Sequence, residues 1–157
     1  RDLHLSLRRQ RQMCIRDRSK KMKDIFINKN ELLFFKNKKI HTKNNLRKSI
    51  PDKDGKKAIT KFRLLEKFDD CALFEIKPIT GKTHQIRAHA SFINKPLAGD
   101  QRYNPEPDIL SHRTGLKRLF LHATSISFPS LDDAKSIMTF ESDIGDELSQ
   151  VISNLRG

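Results

Sequence analysis

A chain of 157 residues is long enough for one ordinary domain with a modest core. Its formal net charge of +13 favours a polyanionic partner, nucleic acid first and an anionic membrane surface second; abundant Lys, Asn and Ile also fit a composition that is merely basic. No apolar run approaches the ~20 residues needed to span a bilayer, and the chain shows no signal-peptide core, phosphate-binding glycine loop or dinucleotide fingerprint.

Residues 1–23 carry no sustained helical or strand period. The run from Arg8 to Arg18 reads as a disordered basic arm. A transit peptide is a second reading, opposed by the two acids and by serine only at Ser6 and Ser19. The third and favoured reading is that residues 1–18 resemble translated sequencing-adapter sequence, which would make them non-biological and displace the natural upstream half. Six Arg and two Asp in 1–18 account for +4 of the charge, leaving +9 in residues 19–157; Lys20, Lys21 and Lys23 supply +3 of that, and the main body, residues 24–157, keeps +6 and is basic in its own right.

Residues 24–57 are polar and lysine-rich, with one apolar patch, Leu32-Leu33-Phe34-Phe35, suited to a short strand. Asp52-Lys53-Asp54-Gly55 signals a turn. Residues 58–67 and 71–79 form a predicted antiparallel hairpin, with Ala72, Phe74 and Ile76 alternating on one side. Thr80-Gly81-Lys82 breaks the second strand. The spacing of Ile86, Ala90 and Ile93 predicts a helix over 83–93, capped by Thr83 and stopped before Pro96. A strand over 119–128, another over 135–141 and a helix over 145–155 follow, the last capped by Asp143 or Asp146. Strands and helices are mixed without strict alternation, which points to an α+β fold with a mixed, mainly antiparallel sheet and packed helices. Cys14 and Cys71 lie in unrelated contexts and read as two reduced thiols of a cytosolic protein; no Cys/His spacing resembles a metal site.

Chemistry concentrates at residues 80–94. Gly81 allows close backbone approach, and the first turn of the helix offers free N–H groups beside Lys82, Thr83, His84, Gln85 and Arg87. That arrangement suits an RNA backbone or a carboxylate; an ordinary capped helix with a solvated polar face explains it equally well.

The segment Thr80-Gly81-Lys82-Thr83-His84-Gln85-Ile86-Arg87-Ala88-His89 resembles the T-G-R-[TS]-H-Q-[IL]-R-x-H motif of RluA-type pseudouridine synthases, with Lys82 keeping the charge but losing the guanidinium fork. Pro96-Leu97-Ala98-Gly99-Asp100-Gln101-Arg102-Tyr103 is similar to that family's G-H-P-[IL]-x-G-D-x-x-Y run, with Asn94-Lys95 in place of Gly-His. The segment from Gly115 to Ala123 and the stretch from Gly55 to Glu66 fit in the same order. The match covers roughly residues 40–157 and leans towards the subgroup acting on 23S ribosomal RNA, large-subunit synthase C.

The resemblance implies isomerisation of uridine to pseudouridine in RNA, with no cofactor and no metal, by a cytoplasmic and monomeric enzyme. It makes Arg87 the partner of a catalytic aspartate, Lys82, Thr83, His84, Gln85 and Arg118 RNA contacts, with His84 and Gln85 equally suited to holding the helix in place, and Ile86 a pocket wall, though the spacing of Ile86 favours core packing. Lys38, Lys39, Lys43, Lys48, Lys56 and Lys57 would supply phosphate contacts or simply a solvated face. His89 and His122 read as structural, the latter buried and hydrogen-bonded. The family's aspartate lies in an H-R-L-D motif that this sequence does not contain; Asp24, Asp52 and Asp54 have different surroundings. The expectation is therefore a synthase fragment inactive by itself, and the alternative a non-catalytic basic RNA-binding or ribosome-associated module.

Overall fold

A computed structural model describes residues 8–16, 31–39, 47–51, 55–104, 109–133 and 135–157. Seven strands form one sheet: β1 (Arg8–Arg16), β2 (Glu31–Lys39), β3 (Arg47–Pro51), β4 (Lys56–Lys67), β5 (Cys71–Pro78), β6 (Leu121–Pro129) and β7 (Ile137–Glu141). Their order is β3-β2-β4-β5-β1-β6-β7, and the neighbouring pairs run antiparallel. Among the described residues three helices accompany them: α1 (Gln85–Phe92), α2 (Ile109–Thr114) and α3 (Asp146–Arg156). The fold is α+β, as the mixed pattern of the sequence implied.

The β4–β5 hairpin and its apolar run explain the layering. In β5, Cys71, Ala72, Leu73, Phe74 and Ile76 are all buried, so this strand is covered on both faces. Ala72, Phe74 and Ile76 pack with Ile86 and Ala90 of α1 and with Leu97. Cys71 and Leu73 pack with Leu110 of α2, Phe120, and Leu148, Val151 and Ile152 of α3. The alternation of side chains along one strand thus assigns α1 to one face and the α2–α3 pair to the other.

Within residues 1–23, expected to be a disordered or non-native segment, Arg8–Arg16 pairs as a strand between β5 and β6. Backbone pairing drives this: without it, β5 and β6 would both expose a row of N–H and C=O groups, and the ladder demands no side-chain alternation from its third member. Thr83 does not cap α1; the cap position is His84, at φ 53°, with no side-chain capping bond. Gly145, at φ 82°, rather than Asp143 or Asp146 precedes α3, while Asp146 and Glu147 occupy its first turn, where the helix dipole favours acids. β3 and α2 carried no recognisable sequence signal. Asp24, Asp52, Asp54 and Lys43 lie outside the described residues.

Candidate functional site

The turn 80–84 and helix α1 are wired to β4 by a chain of buried polar contacts. Thr80 Oγ1 accepts the Ile59 N–H at 2.9 Å and donates to Gln85 Oε1 at 2.7 Å. Gln85 Oε1 also accepts the Lys82 N–H at 3.0 Å. Its Nε2 donates to the Ile59 carbonyl at 2.8 Å and to Thr60 Oγ1 at 2.9 Å. Thr60 Oγ1 in turn lies 2.6 Å from His89 Nδ1. Burial pushes the His89 imidazole down to about 4, so the ring is neutral near pH 7.

This network reassigns part of the motif. Gln85, read evenly as an RNA contact or as a residue that holds the helix, is buried and spends both its oxygen and its amide nitrogen inside the protein. The turn that looked like an open phosphate seat is closed by this side chain, which takes the Lys82 N–H. Ile86 is 4% exposed and belongs to the core rather than to a pocket wall. Lys82 and Thr83 are exposed, and the Thr83 carbonyl accepts the Ser49 hydroxyl at 2.6 Å. The physical purpose of Thr80, Gln85 and His89 is to hold α1 against β4 at one angle, and so to aim Arg87.

Arg87 grips a carboxylate supplied by this chain. Its Nε donates to Asp100 Oδ2 at 2.9 Å and its Nη2 to Oδ1 at 2.6 Å, a fork-to-fork pair. The Asp100 side chain has no exposed area, while that of Arg87 retains 19%. Asp100 Oδ1 also accepts the backbone N–H groups of Arg102 at 3.1 Å and Tyr103 at 3.0 Å. Gly99 makes this possible: at φ 71° it turns the chain so tightly that a Cβ there would sit 2.2 Å from the Arg118 carbonyl oxygen. Sequence reasoning named Arg87 and left it without a carboxylate; the G-D step at 99–100 was the signal that could have supplied one.

Three further side chains gather on Arg87. Its guanidinium carbon stands 5.2 Å from the Tyr103 ring centroid, and Lys48 Nζ stands 5.7 Å from the same point. His84 meets that ring edge-on at 5.7 Å. Burial first, then the charges of Arg87 and Arg102, lower the His84 imidazole below its ordinary value. Lys48, Tyr103 and Arg102 were not singled out for this place. Arg118, expected beside them, lines a separate shallow cleft of about 460 Å³ with Thr114, Gly115, Lys117 and Glu147, and pairs with Glu147 at 3.3 Å. His122 is half-buried, and its Nε2 has no hydrogen-bond partner among the described residues, unlike the bonded histidine expected. Among the described residues no group of three or more His, Cys, Asp or Glu is placed to hold a metal ion, and no helix is long and apolar enough to cross a membrane.

The family model described as RNA pseudouridylate synthase matches residues 13–92, just over half of the chain. The chain belongs to this family. Among curated relatives, the ribosomal large subunit pseudouridine synthase C of Vibrio vulnificus is 39% identical over 106 residues, covering 66% of this chain and 33% of the relative. An uncharacterized RNA pseudouridine synthase of Bacillus subtilis is 38% identical over 104 residues, covering 66% and 32%. The chain thus spans about a third of the length of these relatives. A solved structure, human RNA pseudouridylate synthase domain containing 4, superposes with a TM-score of 0.67 over 96% of this chain and 62% of its own; at 17% identity the likeness is one of fold.

Proposed function

We propose that this chain is the C-terminal portion of the catalytic domain of an RNA pseudouridine synthase acting on large-subunit ribosomal RNA, and that it aims the arginine that serves a catalytic aspartate. The observation that carries this reading is the Arg87–Asp100 fork. Two of the five guanidinium N–H donors are committed to a buried anion, which fixes the plane of the group and leaves three for a second acceptor at its partly exposed side. A catalytic carboxylate placed there would be held ionised and oriented. Asp100 itself does not take that part, because it is buried and saturated by four N–H donors. The names of the relatives support ribosomal RNA as the substrate, and the positive charge of the main body supports an RNA partner.

In this reaction the uracil leaves its ribose and rejoins through carbon, and the target base must first leave its stack. The sequence contains no H-R-L-D run to supply the aspartate, so the 157-residue chain is expected to bind RNA without turnover, as a monomer in the cytoplasm. Incubation with 23S RNA fragments, read by carbodiimide labelling and primer extension, tests this. No new stop is the expected result, and turnover by the chain alone would refute the assignment of the missing aspartate. RNA binding that is unaffected when the Arg87 fork is removed would favour the plain RNA-binding module instead.

A further inference from the structure

Tyr103 stands at the meeting point of three segments far apart in sequence: Lys48-Ser49 on β3, His84 and Arg87 at the start of α1, and Arg102-Tyr103 in the turn after Asp100. A guanidinium only donates, and Arg102 Nη1 stands 3.2 Å from His84 Nε2 and 3.5 Å from Nδ1. His84 Nδ1 also lies 3.3 Å from Tyr103 Oη. Tyr103 Oη also accepts the Ser49 N–H at 2.7 Å. The phenol oxygen thus accepts one backbone N–H, and its O–H is shared between His84 Nδ1 and any acceptor that joins the cluster.

Charge accumulates at the same place. Lys48, Arg87 and Arg102 converge on this ring and on His84, while the one carboxylate among these groups, Asp100, is buried and spent on Arg87 and two backbone amides. Cations gathered this closely repel one another unless an anion joins them. His84 holds the left-handed conformation at φ 53°, which a non-glycine residue adopts at a cost that its surroundings must offset. Burial and the charges of Arg87 and Arg102 lower the His84 imidazole, which disfavours a further positive charge there.

We propose that Lys48, Arg102 and the Tyr103 hydroxyl form a seat for one phosphodiester of the RNA backbone, next to Arg87. The inference rests on the RNA reading above and deepens it. The phosphate accepts the phenol O–H and the free N–H groups of Arg102, and Lys48 adds a point charge from the edge of the sheet.

Tyr103 is the only tyrosine and the chain has no tryptophan, so tyrosine emission reports this seat alone. The full 157-residue chain is titrated with a short oligouridylate and, in parallel, with its uncharged methylphosphonate analogue, while anisotropy of an end label follows RNA binding independently. The expected result is a saturable change of Tyr103 emission with the phosphodiester and none with the analogue at the same concentration. Arg102→Gln weakens that response on the order of tenfold, as loss of a charge-assisted contact should. Lys48→Gln, which removes a side chain at the sheet edge, weakens it severalfold; circular dichroism verifies the fold of each variant. Lys135→Gln, in the turn between β6 and β7 at the opposite edge of the sheet, leaves it unchanged. Equal responses to both oligonucleotides, or wild-type affinity in both folded seat variants, overturn the seat. RNA binding by anisotropy with silent Tyr103 emission overturns the seat and leaves the RNA reading standing. No binding in either readout overturns the RNA reading and the seat with it.

Discussion

Asp100→Asn is nearly isosteric, so it probes charge and hydrogen bonding rather than volume. In the native protein Asp100 Oδ1 accepts from Arg87 Nη2, Arg102 N and Tyr103 N, and Oδ2 accepts from Arg87 Nε. An asparagine can keep its oxygen at the first position and retain three of these bonds. Its amide group then faces Arg87 Nε, donor against donor. One charge-assisted bond is lost, at about 1.5–3 kcal/mol, and a mostly buried guanidinium is left uncompensated. Together these come to roughly 3–4 kcal/mol, which in a chain of this size lowers Tm by on the order of 10 °C. Urea unfolding of wild type, Asp100→Asn, Arg87→Gln and the double variant gives the coupling directly through the cycle. A coupling under about 1 kcal/mol would show that solvent screens the pair despite its burial, and that Asp100 does not fix the plane of Arg87.

Two other expectations follow from the same elements. His89 titrates at about 4 in the folded protein against 6.5 for the free side chain, so the unfolded chain takes up a proton first as pH falls. The stability contributed by the neutral buried ring is therefore complete above about pH 6.5 and is lost between there and pH 4, by roughly 3 kcal/mol in total. In His89→Asn this component is absent, so the urea-derived stability curves of the two proteins should converge as pH falls across that window, and parallel curves would refute the assignment. Gly99→Ala forces a Cβ to 2.2 Å from the Arg118 carbonyl oxygen at a positive φ. A loss of about 3 kcal/mol or more is expected, together with a weaker Arg87–Asp100 coupling, and calorimetry showing less than about 1 kcal/mol would mean that the turn opens freely.

The family, the β4–β5 hairpin, β6, β7, α1 and α3 were legible in the sequence. Their signals are local: an apolar run, a helical stripe, or a motif of adjacent residues. The motif singled out Arg87 for an aspartate that this sequence does not contain, whereas in the fold it holds Asp100; it ranked its neighbours by residue type, and residue type does not say which way a side chain points. Gln85 and Thr83 look alike as polar residues at a helix start; α1 packs on β4, so Gln85 is driven inwards to serve Thr80, Thr60 and the Lys82 amide, while Thr83 stays outside. Pairing of Arg87 with Asp100, 13 residues on, depends on the tight turn at Gly99. The approach of Lys48 and Ser49 to Tyr103, with Ser49 54 residues away in sequence, depends on the position of β3 at the sheet edge. Those contacts join segments whose separate patterns are ordinary, and Arg8–Arg16 became a strand because β5 and β6 both needed a backbone partner. The sequence by itself determined the family and the main elements. Only the tertiary structure decided which polar groups close the core, which carboxylate holds Arg87 and where the cations meet, because these depend on packing between distant segments, which leaves no periodic trace in the chain.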